Sequence, residues 1–167
     1  MVQSPYLARL NLKEKTMFSI EAIMSTNLVT MPPSATVAEA RTQMQEKRIH
    51  HLPVTDGDSL VGLVTLTNVL AATDSFLRDD KHRIHANDIL VDEVMVKDVA
   101  TVDVDASLRQ AALFLEKHQI GCLPVMSDGH LVGIITETDF VAVAINLLEQ
   151  LESEEPYEDD FDDVDVA

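Results

Sequence analysis

The sequence has no tryptophan, a single cysteine (Cys122) and only 4 % aromatic residues among 167. Its core must therefore be aliphatic, and a 46 % hydrophobic content supplies enough Val, Ile, Leu, Met and Ala for one. One cysteine excludes an intramolecular disulfide and a cysteine-based zinc site. Bases are also scarce: 12 Lys+Arg stand against 29 Asp+Glu, for a net charge of −17. Such a chain repels phosphate backbones and anionic bilayers, so neither general nucleic-acid binding nor membrane binding is expected. No apolar run approaches the roughly 18 residues needed to span a bilayer. The opening MVQSPYLARLNLKEKTMF lacks an unbroken apolar stretch and does not read as a signal peptide. These absences predict a soluble, cytoplasmic protein in a reducing compartment.

The charge is unevenly placed. Residues 152–167 hold nine acids and no base, leaving 20 acids and 12 bases in the body. That composition predicts a disordered tail, serving solubility or docking a basic partner through Tyr157 and Phe161.

What is present is a repeat. Sliding the chain by 71 residues aligns 24–70 with 95–141 without a gap and gives 13 identities in 47 positions. Chance gives roughly 3 at ordinary residue frequencies. The identities include Met24/Met95, the Leu52-Pro53-Val54 and Leu123-Pro124-Val125 runs, and Gly62/Gly133. One supersecondary unit is used twice.

Each unit reads as β-α-β-β-α. A short extended piece (28–31; 99–102) precedes a polar turn and a helix. Thr36 with Glu39, and Ser107 with Gln110, have the spacing of a capping box, and apolar residues then recur every three to four positions. HLPVT or CLPVM forms a strand, and DGDS or SDGH a hairpin turn. LVGLVTL or LVGIITE, nearly all apolar, reads as a second strand at the centre of a sheet. A closing helix begins near Thr67 or Thr138. The expected organisation is an extension (1–19), repeat 1 (20–73), a linker (74–93), repeat 2 (94–148) and an acidic disordered tail (149–167).

The Met opening, the capped helix, the xLPV strand and the Gly-hydrophobic-hydrophobic-Thr-x-x-Asp segment together resemble the CBS domain. Two in tandem resemble a CBS pair, or Bateman module. The resemblance covers about residues 20–145. It implies an α+β fold of two repeats packed around a pseudo-twofold axis. It also implies clefts for adenosine ligands (AMP, ADP, ATP, S-adenosylmethionine, NAD or cyclic dinucleotides), a homodimer, and a regulatory role toward a partner protein. No enzyme, channel or transporter domain accompanies the pair in this sequence, which is therefore expected to be a stand-alone regulatory module.

Carried onto this chain, the resemblance makes Asp139 the acceptor for the ribose hydroxyls and puts Thr136 beside the phosphate. A carboxylate can accept both hydroxyls of a cis-diol, and a strand-to-helix junction offers free N–H groups to a phosphate. Gly133 would admit close approach of backbone or ligand. Thr-x-x-Asp is equally a plain helix cap, and the two roles are compatible. Thr101, Val102, Cys122, Leu123 and Pro124 are expected to wall the same site, unless they are ordinary core. Repeat 1 departs from the pattern, with Asn68 in place of the Asp. A weaker or empty second site is expected there, from Asn68, Thr65, Thr30, Met31, His51, Leu52 and Pro53. Arg48, His50 and His51 form the tightest basic cluster, and either histidine is expected to cross to a ligand held by Asp139, the alternative being exposed strand histidines.

Three function classes compete. An adenosine sensor signalling to a partner, without catalysis or catalytic cofactor, leads. An enzyme fares poorly: no G-x-S-x-G, P-loop, dinucleotide fingerprint or H-E-x-x-H occurs, and apolar surroundings would leave Cys122 inert. An interaction or dimerisation module with degenerate clefts, acting through its acidic tail, is the alternative. His82-x-x-His85 has helical ligand spacing without a completing acid or cysteine, so no metal site is expected.

Overall fold

A computed structural model describes residues 19–76 and 88–154. The His82/His85 pair, the expected extension before Ser19 and the tail beyond Glu154 lie outside the described residues. The first unit begins with a single helical turn, α1 (Ile20–Ile23), followed by α2 (Val37–Lys47), β1 (His51–Asp56), β2 (Ser59–Thr65) and α3 (Leu66–Phe76). The second repeats that order as α4 (Val91–Val94), β3 (Val102–Asp103), α5 (Leu108–His118), β4 (Cys122–Ser127), β5 (His130–Thr136) and α6 (Glu137–Glu154). The architecture is α+β.

Local chemistry explains the elements. Both capping boxes form: Thr36 and Ser107 accept from the Glu39 and Gln110 N–H groups, and the Glu39 and Gln110 side chains accept from the cap N–H groups in return. Both helices end on a left-handed residue, Arg48 and Gln119, each at φ 54°. β1 and β2, and β4 and β5, are antiparallel hairpins. In the second turn both central residues, Asp128 and Gly129, have positive φ, as a tight right-twisting hairpin requires.

Two expectations about the strands are corrected. The extended piece 28–31 of repeat 1 yields only a single parallel bridge, Met31 to Val54, whereas β3 is a short parallel strand beside β4. The cause is proline. In repeat 2 the Val104 N–H donates to the Met126 carbonyl at 2.9 Å; its counterpart, Pro33, has no N–H to give. In the second sheet the strand at the centre is β4, not the apolar β5. β5 is apolar because its far edge meets the other repeat.

That edge contact shows how the repeats join. Ser25 pairs with Ile134 of β5, and Val96 pairs with Leu63 of β2. Ser19 pairs with Ser107, and Leu90 with Thr36. Shifting each pair by 71 residues turns it into the other, with the repeats exchanged, which is a pseudo-twofold axis written in hydrogen bonds. The entry segments are therefore swapped. Ile20, fully buried, belongs to the core of repeat 2 with Leu115, Leu123, Val125 and Ile135. Ile89 and Val91 complete the core of repeat 1 with Val37, Met44, Leu52 and Val64. Burying one such side chain contributes about 1.5–3 kcal/mol, so each repeat depends on the other's entry segment.

α6 runs to Glu154, into the stretch expected as tail from 149 onward. That stretch continues with Glu149, Gln150, Leu151 and Glu152, all good helix formers. Among the described residues no helix is long and apolar enough to cross a membrane.

Candidate functional site

The two hairpins each end in a capped helix start. After β5, the Thr136 N–H and Oγ1 both donate to Asp139 Oδ2, at 2.7 and 2.8 Å. After β2, the Thr65 N–H and Oγ1 donate to Asn68 Oδ1, at 2.9 and 2.7 Å. The capping reading of Thr-x-x-Asx thus holds in both repeats. One carboxylate oxygen is committed to the cap, while Asp139 Oδ1 has no protein donor among the described residues. In Asn68 the cap takes the amide oxygen, so the remaining atom is an –NH₂ donor where Asp139 offers an acceptor.

Asp139 and Thr136 face a cleft of about 460 Å³, of the size that takes a small-molecule ligand. Three walls meet there. The end of β5 supplies Thr136, and the start of α6 supplies Glu137, Thr138 and Asp139. The swapped entry segment supplies Ser25, Asn27, Leu28 and Val29, and the turn into β1 supplies Arg48, Ile49, His50 and His51, with Pro53 beyond. Gly121 and Ile134 complete it. The cleft lies between the repeats: Glu137 and Asp139 come from repeat 2, and Arg48, His50 and His51 from repeat 1.

His50 is exposed and His51 half-buried. Burial of the His51 ring holds its pKa below the ordinary imidazole value, and neighbouring His50 lowers it further, while Glu137 pulls the other way. His51 is packed across the repeat boundary: a Cβ on Gly121 would lie 3.0 Å from its Nε2.

Several expected wall residues are placed elsewhere. Cys122, Leu123 and Pro124 are buried core, and burial pushes the Cys122 thiol up to about 12, leaving it neutral and unreactive. Thr101 is exposed and Val102 half-buried in β3, and neither lines the Asp139 cleft. Gly133 is also absent from it. Its missing Cβ makes room for the Met24 thioether, and that of Gly62 for Met95. Of the residues expected at the second site, Leu52 is core and Pro53 belongs to the Asp139 cleft. Thr30 and Met31 line a separate open groove along α2, of about 790 Å³, with Gln43 and Lys47. The reason is the swap: a cleft takes its carboxylate from one repeat and its opening segment from the other. Leu28, Val29, Gly121 and Glu137 were therefore not singled out from the sequence, although the 71-residue symmetry contains the information.

That symmetry also shows how unlike the two clefts are. The positions matching Arg48, His50 and His51 are Gln119, Gly121 and Cys122, and those matching Glu137 and Asp139 are Leu66 and Asn68. Each ionisable group of this cleft thus has an uncharged counterpart, while the same shift puts Asp98 at the position of Asn27 and His50 at that of Gly121. Among the described residues no group of His, Cys, Asp and Glu could hold a metal ion.

The family model for the CBS domain matches residues 20–75 and 91–146. The chain belongs to the CBS domain family. It is a tandem CBS pair, and its swapped repeats are the two units of that pair. It is 32 % identical over 123 residues to a homoserine O-acetyltransferase of Methanocorpusculum labreanum, covering 72 % of this chain and 23 % of the relative. The chain thus spans about a quarter of that enzyme's length. A Vibrio cholerae structure described as the acetoin utilization protein AcuB shares 38 % identity at a TM-score of 0.69, over 83 % of this chain and 98 % of the other. The structure of CBSX2 in complex with AMP shares 28 % identity at a TM-score of 0.66, over 78 % of this chain and 98 % of the other.

Proposed function

We propose that this CBS pair is a regulatory module that binds one adenosine-containing ligand per chain, in the Asp139 cleft, and passes the occupancy of that cleft to a partner protein without catalysis. The observation that carries this reading is the half-committed carboxylate of Asp139 facing Arg48, His50 and His51 across the repeat boundary. Asp139 Oδ1 accepts from the ribose hydroxyls, Leu28, Val29 and Pro53 give the base an apolar wall, and the cationic turn meets the phosphate. The AMP complex of CBSX2 supports the ligand class and makes AMP the first candidate, ahead of ADP and ATP, with S-adenosylmethionine and NAD as further ones. The cleft joins groups of both repeats, so a ligand there favours states in which the repeats are held together, and that differential affinity is what a signal requires.

The Asn68 side supports the weaker or empty second site, since its outward atom donates and Gln119 and Cys122 stand where Arg48 and His51 would be. Leu113 and Phe114 on α5 and Val141, Ile145 and Leu148 on α6 are exposed, and on this reading a second copy covers them in a homodimer.

The test is a thermal-shift panel with AMP, ADP, ATP, NAD, S-adenosylmethionine and cyclic di-AMP on the wild type and on Asp139→Asn. Ligand at a hundredfold excess over Kd stabilises by about 2.7 kcal/mol. A shift that disappears in the variant supports the sensor. A flat panel favours the interaction module.

A further inference from the structure

The charge balance of the Asp139 cleft changes when a ligand enters, and one group is placed to respond. The groups facing His51 are Arg48 and His50 from its own segment and Glu137 and Asp139 from α6. The other walls, Ser25 to Val29 and Gly121, bring no charge. His51 is half-buried, packed on the Gly121 backbone and close enough to Glu137 to feel its charge. In the empty cleft its burial disfavours the imidazolium. A phosphate dianion beside the ring reverses that preference, because the new negative charge offsets desolvation.

We propose that His51 sets the ligand specificity of this cleft: it takes up a proton as a phosphate-bearing ligand enters, so that a nucleoside phosphate is preferred over uncharged or cationic adenosine compounds, and increasingly so as the pH falls. The inference rests on the adenosine-ligand reading above. The step is a protonation alone: the imidazole nitrogen lone pair takes H⁺ from solvent and donates it in a charge-assisted hydrogen bond to the phosphate. The matching residue in the other repeat, Cys122, is buried and has no basic atom to protonate. The sign follows from linkage. The ring binds its proton more tightly in the complex than in the free protein, so the His51 contribution to phosphate affinity rises as pH falls through the interval between the two midpoints and is flat outside it.

The experiment is isothermal titration calorimetry of the full chain with AMP and with adenosine at pH 7.5, in HEPES and in Tris, whose protonation enthalpies differ. At that pH the phosphate, with a second pKa near 6, contributes little proton exchange of its own. The expected result is a buffer-dependent heat for AMP, with up to about one proton taken up per ligand, and none for adenosine. His51→Gln removes the uptake and reduces the AMP-over-adenosine preference about tenfold, whereas His130→Gln, at a histidine that does not line the cleft, leaves the uptake in place. NMR titration of the wild-type His51 ring gives a second readout that needs no variant, with its midpoint expected to rise on adding AMP. A buffer-independent AMP heat, uptake that persists in His51→Gln, or an unmoved ring midpoint overturns the proposal while leaving the adenosine site standing. Binding of neither ligand overturns both.

Discussion

Asp139 and Asn68 differ by one atom, and that atom leaves a free acceptor on Asp139 where Asn68 presents a donor. Asp139→Asn reproduces the repeat 1 arrangement, in which an amide oxygen makes both hydrogen bonds to the threonine. The variant is expected to melt close to the wild type yet bind its nucleotide about 10- to 150-fold more weakly, the cost of one to two charged hydrogen bonds, measured by calorimetry. Asp139→Ala would confuse the two effects by removing the cap as well. His51 gives a pH signature to the empty protein. Its folded-state pKa is depressed, so the unfolded chain binds its proton more readily, and stability drops as pH falls through the ordinary imidazole value near 6.5. Melting curves between pH 7.5 and 5.5 should show that loss, and it should be smaller in His51→Gln. At this scale the sequence was half legible. Residue type picked out the basic turn, and spacing the Thr136–Asp139 cap; a ligand role for Asp139 and Thr136 came only through the resemblance. Gly133 was misjudged because a glycine advertises close approach without saying by what, and the intruder, Met24, lies more than a hundred residues away in the chain.

Secondary elements were the most legible level, because their causes are local. The capping boxes, the hairpin turns and the helix starts follow from residues three or four positions apart, and all form. Ser107→Ala should cost about 1 kcal/mol by removing the acceptor for the Gln110 N–H, seen as a lower midpoint in urea unfolding. The misses at this level have equally physical causes. Pro33 withholds the N–H that would have extended a strand in repeat 1, so the repeats differ where their patterns looked alike. α6 outran the expected boundary because Glu149, Gln150, Leu151 and Glu152 are good helix formers that carry the helix on.

For the whole molecule, the decisive feature is the exchange of entry segments, which no local pattern announces. Met24 sits on Gly133 and Met95 on Gly62, each thioether filling the space of an absent Cβ in the other repeat. Gly62→Ala places a methyl group against Met95 and should destabilise by about 1–3 kcal/mol, with Met95→Ala recovering part of the loss in the double variant. Ile20→Ala should cost about 2–5 kcal/mol and unfold both repeats in one transition, since Ile20 completes the core of repeat 2 from a segment of repeat 1. The swap also decides which residues share a cleft, and hence why Arg48, His51, Glu137 and Asp139 meet in one. The most direct measurement of the central claim is calorimetric titration of AMP into the wild type and Asp139→Asn, with melting curves of both in the absence of ligand. The account predicts saturation at one AMP per chain, affinity at least tenfold weaker in the variant, and near-equal melting temperatures without ligand. Equal affinity in the two proteins, two AMP per chain, or no binding to the folded wild type would contradict it.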